Sequence, residues 1–211
     1  MDPAPVTVAA VEDVGSEAFV VRLETPEGFS ARPGQFVKVV ATVDGETESR
    51  FYTISSPDVE GTFELTIEVD PEGEVSPQLR ALGPGDEVTL GGPYGSNYYE
   101  DEDRVLVVAG GPGVGPAVGI AERVLREGGE AAVVYRDDDP IHEDRLADLA
   151  DRGAVVRVLA PGEDMGGPVA EALEAGTQVF VYGFADFLDD AMAAIEAAGG
   201  EPDAAKVENF G

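Results

Sequence analysis

The chain has no cysteine and no tryptophan, one histidine and only two lysines among 211 residues. Without cysteine it holds no disulfide, no thiolate nucleophile, no cysteine-bound zinc and no cysteine-ligated iron–sulfur cluster of its own. The lone histidine, His142, has no clustered ligands around it, and within the acidic run "PIHEDR" it reads as an ordinary surface residue. No apolar run approaches the roughly 18 residues of a membrane span, and "MDPAPVTVAA" lacks a basic segment followed by an apolar one, so a soluble cytoplasmic protein is expected. Cations are scarce as well. Lys and Arg number 13 against 43 Asp and Glu, a net charge of −30, and such a field repels nucleic acid and anionic membranes, so neither is expected as a partner. The acids are spread through "YYEDEDR", "RDDDP" and "HEDRLADLADR" rather than gathered in a tail. That distribution predicts a wholly acidic surface suited to a halophile, because molar salt shrinks the Debye length to about 3 Å and screens self-repulsion. An unusually acidic protein working at ordinary salt has the same composition.

What is present is enough to fold. Hydrophobic residues make up 43% of the chain, sufficient to offset the entropy of ordering the backbone. From residue 4 to about 95, six short β-rich runs alternate with turn signals: "VTVAAVEDVG", "EAFVVRLETP", "GQFVKVVATVDG", "SRFYTISS", "TFELTIEVD" and "DEVTLGGPYG". Their turns include "DGE" at 44–46 and "PEG" at 71–73. This pattern predicts an antiparallel barrel or sandwich, with "SPQLRAL" as one or two helical turns capped by Ser76 and opened by Pro77. After "YYEDED" the pattern changes: continuous apolar runs such as "RVLVVAGG", "EAAVVYR" and "TQVFVYG" alternate with helix-spaced segments. Strands and helices of this length in alternation predict a parallel sheet covered on both faces. The expected division is residues 1–97 and 98–211, with the acidic stretch around 96–103 as a solvated linker.

The first strand of the second half runs into "AGGPGVGPAVG". A Rossmann fingerprint counted from Gly111 and Gly113 requires glycine at 116 and finds Pro116, and no Gly-Lys-Ser/Thr of a phosphate loop follows. What remains is a strand, a loop with unshielded backbone amides at Gly110, Gly111, Gly113 and Gly115, and a helix whose amino end is positive. That combination suits a pyrophosphate, though close packing of strand on helix calls for the same glycines. At the end of the second strand, "VVYRDDDP", Arg136 suits a 2′-phosphate and Asp137 suits ribose hydroxyls; because they are adjacent, the choice between NADPH and NADH stays open.

Taken together, the two halves resemble the ferredoxin–NADP⁺ reductase family, and the similarity extends over essentially the whole chain. Its flavin signature resembles Arg50, Phe51, Tyr52 and Thr53, with Ser55 and Ser56 following in "RFYTISSP". The resemblance implies that Arg50 pairs with the FAD pyrophosphate, that Tyr52 packs against the flavin, and that Thr53 lies near flavin N5. Arginine's planar fork suits phosphate oxygens, and phenol offers a flat face with a polar tip. A second signature resembles "GEVSPQL", which implies that Gly73, Val75 and Ser76 also face the pyrophosphate. "GGPGVGP", containing Gly110, Gly111, Gly113, Val114 and Pro116, resembles the family's nucleotide loop. "VFVYGF" is similar to its strand ending in cysteine-glycine, with Tyr182 in place of cysteine and Gly183 retained. The terminal "VENFG" resembles its acidic and aromatic end, which implies flavin-side roles for Glu208 and Phe210.

The resemblance therefore implies an FAD-dependent reductase that takes a hydride from NADPH or NADH and passes electrons singly to a separate acceptor such as a ferredoxin. Thr53, Tyr52 and Glu208 are expected nearest the chemistry. Two alternatives share the architecture: a flavin reductase using diffusible flavin, and a non-catalytic or electron-transfer subunit of a larger complex, which the departure at Tyr182 favours.

Overall fold

A computed structural model describes residues 1–43, 46–70 and 72–211; the turns expected at "DGE" and at the second "PEG" lie partly outside them. The first half contains β1 (Ala4–Asp13), β2 (Ala18–Glu24), β3 (Phe36–Val43), β4 (Glu46–Thr53), β5 (Thr62–Glu68) and β6 (Glu87–Tyr94). They form one antiparallel sheet in the order β4-β3-β6-β1-β2-β5. A bridge between Ile54 and Leu65 joins the two edge strands, which closes the sheet into a barrel rather than a sandwich. Alternate residues point inward, as a pleated strand requires. Val6, Val8, Phe19, Val21, Leu23, Val37, Val39, Phe63, Leu65, Ile67 and Leu90 fill the interior.

Helix α1 (Val75–Arg80) seals this core with Val75 and Leu79. Ser76 does not cap it. The helix begins one residue earlier, at Val75, and the buried Ser76 Oγ instead accepts the Asp70 amide at 3.0 Å.

The second half contains β7 (Arg104–Gly110), α2 (Val114–Glu127), β8 (Glu130–Arg136), α3 (Glu143–Asp151), β9 (Val155–Leu159), α4 (Gly166–Ala172), β10 (Gln178–Gly183), α5 (Ala185–Ala197) and β11 (Lys206–Asn209). The strands are parallel in the order β11-β10-β7-β8-β9. Side chains along β7 divide by parity: Val105, Val107 and Ala109 pack with α2 and α3, whereas Leu106 and Val108 pack with α4 and α5. That is why the run reads as continuously apolar. The chain steps outward from β7 to β8 and β9, then returns to place β10 on the other side of β7. The reversal opens a crevice at the carboxyl ends of β7 and β10. Among the described residues no helix is long and apolar enough to cross a membrane.

Two readings of the sequence change at the seam between the halves. His142 is buried, and its Nε2 lies 2.8 Å from Thr66 Oγ1 on β5. Burial, assisted by Arg145, pushes its imidazole down to about 3. Its acidic sequence neighbours face solvent while its own ring faces the barrel, which local composition does not reveal. The stretch "YYEDED" is likewise more than a solvated linker. Tyr99 is buried, with its hydroxyl donating to Glu127 at 2.8 Å. Lys206 at the start of β11 donates to Tyr98 O at 2.7 Å, Glu100 at 2.9 Å and Glu102 at 2.6 Å.

Candidate active site

The "RFYTISSP" segment is the end of β4 and its exit, and its residues divide by strand parity. Arg50 and Tyr52 lie opposite Val39 and Val37 of β3, whereas Phe51 and Thr53 lie opposite Lys38 and Phe36. Beside this strand end is a cavity of about 420 Å³. From the barrel, Arg50, Phe51, Tyr52 and Thr53 line it; from the α/β half, Pro112, Pro116, Phe184, Glu208 and Phe210 do so. At this cavity the two halves are joined by a hydrogen bond from Thr53 Oγ1 to Glu208 Oε1 at 3.0 Å. Burial pushes the Glu208 carboxyl up to about 7, against the Thr53 hydrogen bond, which pulls it down. Burial also pushes the Tyr52 phenol up to about 12, against the nearby Arg50 charge.

Glu208 sits where it does because β11 pairs in parallel with β10, setting Tyr182 beside Glu208 and Gly183 beside Asn209. The Phe210 amide then donates to Gly183 O at 3.1 Å. The Phe210 ring meets Phe184 edge to face at 6.0 Å and tilts against Tyr182 at 6.5 Å. Arg50 is exposed, and among the described residues it is held only by Glu48 at 3.2 Å and by the carbonyl of Ser49 at 3.0 Å. One wall is therefore aromatic, one end carries a loosely held guanidinium, and the centre carries a carboxyl poised near neutral pH. An extended planar ligand with an anionic tail fits that donor set, and the guanidinium's fork matches phosphate oxygens.

The glycine loop serves close approach as much as exposure. A Cβ at Gly113 would collide with the carbonyl of Tyr182, and Gly111 adopts φ +56°. A Cβ at Gly110 or Gly183 would lie 2.6 Å from the Phe187 ring, so both glycines admit that ring over the crevice. Val114 is fully buried, while Pro112 and Pro116 reach the cavity. The amino end of α2 has no acidic residue in its first turn; its first residues are buried, the Val114 amide donates to the Gly111 and Pro112 carbonyls, and the half-buried Gly111 and Pro112 are what the loop presents to solvent. Gly115 and Gly119 face elsewhere: they seat α2 against Thr66, Ser55 and Ser56 of the barrel.

Other expected residues lie away from the cavity. Ser56 Oγ accepts the Glu64 amide at 2.6 Å, and the fully buried Ser55 hydroxyl finds no partner among the described residues. Gly73, Val75 and Ser76 do not line the cavity. The amide of Gly73 closes a turn on Asp70 O at 3.1 Å, and Val75 belongs to the barrel core. Tyr182 is wholly buried and points its hydroxyl at Asn97 O, 3.2 Å away. Burial raises its phenol well above the usual value, and it stands outside the cavity lining.

Arg136 is committed to Asp190 at 2.7 Å and lies 5.2 Å over the Phe187 ring. Asp137, Asp138 and Asp139 instead line a second cavity of about 370 Å³ beside Gly111, together with Glu17 and Glu68. The half-buried Glu68 carboxyl is raised by burial first, then by Asp137, Glu17 and Asp138. Sequence reasoning missed Glu68 and Phe184. Phe184 had a usable signal, an exposed aromatic directly after the strand-ending glycine, whereas Glu68 is one acid among 43.

A closed antiparallel barrel followed by a doubly covered parallel sheet, with a cavity where they meet, is the two-domain fold of the ferredoxin–NADP⁺ reductases. Residues 5–99 match the model of the oxidoreductase FAD-binding domain family. The FAD/NAD-binding domain of nitric oxide dioxygenase from Vibrio cholerae has this fold, with TM-score 0.86, 20% identity and full coverage of both chains. A ferredoxin NADP⁺ reductase from Neisseria gonorrhoeae with bound FAD and NADP has it too, with TM-score 0.80, 17% identity and full coverage of both. Among curated proteins, 102 residues are 40% identical to the glycine betaine monooxygenase reductase subunit of Chromohalobacter salexigens, covering 46% of this chain and 28% of that protein. A further 35% identity over 124 residues relates 59% of the chain to 45% of a probable dihydroorotate dehydrogenase B (NAD(+)) electron transfer subunit from Methanopyrus kandleri. The matches thus span less than half the length of these relatives.

Proposed function

We propose that the chain is an NAD(P)H-dependent flavoprotein reductase, with residues 1–97 as the FAD-binding barrel, residues 98–211 as the nicotinamide-nucleotide domain, and a separate one-electron acceptor protein as partner in the cytoplasm. The observation that carries this is the Thr53 to Glu208 hydrogen bond, made across the domain seam inside a cavity whose walls are aromatic. FAD, when bound, supplies acceptance of two electrons from a nicotinamide and their release one at a time. The overall balance is one NAD(P)H oxidised to NAD(P)⁺ with release of one proton, and two acceptor molecules each reduced by one electron.

The chain's own residues have four tasks. Arg50 holds the pyrophosphate, and Tyr52 fixes the ring from the barrel side. Thr53 and Glu208 together hold a proton at the seam, because a carboxyl near 7 exchanges it readily at neutral pH. Phe184 and Phe210 keep water from the other face and must yield to the nicotinamide. The glycine loop at Gly110–Gly113, which leads into the positive amino end of α2, takes the dinucleotide's pyrophosphate.

The coenzyme we favour is NADH. Arg136 is already paired with Asp190, and the carboxylates of Asp137 to Asp139 oppose an additional 2′-phosphate. The test is reconstitution with FAD followed by gel filtration. Stoichiometric retention supports a resident cofactor, and release supports a diffusible-flavin reductase. Arg50→Ala should weaken FAD binding by about tenfold or more, the worth of a charge-assisted hydrogen bond, with circular dichroism unchanged. Full occupancy in that variant would remove Arg50 from the site.

A further inference from the structure

We propose that Tyr182 is a positioning residue: its phenol and Asn97 form a strut that holds β11 in place and so keeps the Glu208 carboxyl beside Thr53. The inference rests on the reductase reading above. The first observation is how little else fixes that carboxyl. Glu208 lies on β11, a strand of 4 residues at the edge of the sheet, which among the described residues pairs only with β10. So short an edge strand gains few ladder hydrogen bonds and opens readily unless its free side is covered. Residues 97–102 cover it. Asn97 Nδ2 donates to Val207 O at 2.8 Å, and Lys206 reaches Tyr98, Glu100 and Glu102.

The second observation is where the strut is anchored. Tyr182 is the register partner of Glu208 on β10, and its hydroxyl donates to Asn97 O at 3.2 Å. The phenol thus binds the backbone of Asn97, the side chain of Asn97 binds the backbone of Val207, and the pairing of β10 with β11 completes the ring. Glu208 follows Val207 directly. A buried hydroxyl needs a partner, and Asn97 O is the one this phenol has among the described residues. Room for the phenol comes from the barrel: Gly34, in the connection from β2 to β3, has φ +93°, and a Cβ there would lie 2.5 Å from the Tyr182 hydroxyl and 3.1 Å from Tyr98 Cα. The strut therefore ends against the barrel itself.

The third is reach. A cysteine at position 182 would end at a sulfur one bond from Cβ, a full ring short of Asn97. The phenol stands outside the cavity lining, so its influence on the chemistry passes through Glu208. Glu208 shares its cavity with Arg50 and Tyr52 of β4 and Glu68 of β5. Glu102 of the covering segment acts on the Tyr182 phenol, which burial raises first and Glu208 and Glu102 raise further. Burial is also what lifts the Glu208 carboxyl, with the Thr53 hydrogen bond opposing it. A β11 released from the strut admits water to that carboxyl, which then returns toward the ordinary carboxylate range.

The experiment follows NADH oxidation by FAD-loaded protein across pH, with ferricyanide as acceptor, in wild type, Tyr182→Phe, Asn97→Ala and the double variant. Tyr99→Phe, which loses the hydrogen bond to Glu127 and none to β11, is the control. Tyr182→Phe and Asn97→Ala should each move the limb near pH 7 downward by about one unit, which lowers kcat about tenfold on its alkaline side, with the NADH KM unchanged. The double variant should go no further than either single one, because both cut the same strut. Tyr99→Phe should match wild type. Tyr182→Phe keeps the ring and its packing, so a tyrosine of purely structural importance gives a lower Tm with the wild-type pH profile; that result overturns the proposal. A fully additive double variant also overturns it, as does a profile that Glu208→Gln leaves unchanged. If Tyr182→Phe does not retain FAD, Asn97→Ala decides by the same shift of the limb. A wild-type protein that reduces ferricyanide with neither NADH nor NADPH overturns the reductase reading itself.

Discussion

Glu208 shows how a single side chain can make the site sensitive to pH. Its carboxyl lies near 4.5 in the unfolded chain and at about 7 when folded. Between those values the folded protein binds a proton that the unfolded chain has released, so this group lowers stability as pH rises through that window. Glu208→Gln removes the effect. In thermal melts, the variant's Tm relative to wild type should climb between about pH 4.5 and 7 and level off above. A flat difference would show that the carboxyl ionises normally. The same substitution should erase the limb near pH 7 in the rate of NADH oxidation. Arg50, Tyr52, Thr53, Glu208 and Phe210, singled out in the sequence, line one cavity, where the end of β4 meets the chain terminus. Ser55, Ser56, Gly73, Val75 and Ser76 lie outside its lining, and their types leave the sequence ambiguous, because hydroxyls and glycines serve turns and seams as well as they serve phosphates. Tyr182 is a third case: the sequence marks its departure from cysteine, and only the fold reveals that its phenol spans to Asn97.

Helix α2 shows the same ambiguity one level up. Glycines in a helix interior cost about 1 kcal/mol each relative to alanine, and Gly119 lies well inside one. By propensity alone Gly119→Ala would stabilise. Yet a Cβ there would lie 2.9 Å from Ser55 O and 3.0 Å from Ser56 O, both rigid backbone atoms. We expect overpacking to dominate, for a net destabilisation of about 1–3 kcal/mol, measured by urea unfolding; a stabilised variant would mean α2 is not seated on the barrel. Element types and order followed well from hydrophobic periodicity, since runs of period 2 and 3.6 are set by local geometry. Strand order did not, because the return of β10 to the inner side of β7 leaves no local trace. The role of "YYEDED" was missed for a related reason. Its acids look solvated until Lys206, more than 100 residues later in the chain, is found between them.

For the whole molecule, charge and the seam set the conditions under which it holds together. His142 lies near 6.5 when unfolded and about 3 when folded. Between those values the unfolded chain binds the extra proton, so this contribution is full above about 6.5 and is lost as pH falls toward 3. His142→Gln should blunt acid destabilisation relative to wild type, as read from Tm between pH 6.5 and 4; an identical acid limb would place the histidine in water. The net charge of −30 predicts a Tm that rises with KCl toward molar concentrations as self-repulsion is screened.

The central claim is that the cavity at the seam brings a nicotinamide and a flavin together. Anaerobic mixing of the FAD-loaded protein with NADH, and separately with NADPH, tests it most directly through the flavin's visible absorbance. The account predicts bleaching by NADH, with NADPH requiring a much higher concentration. Bleaching by NADPH in preference would overturn the coenzyme assignment, and no bleaching by either would contradict the central claim.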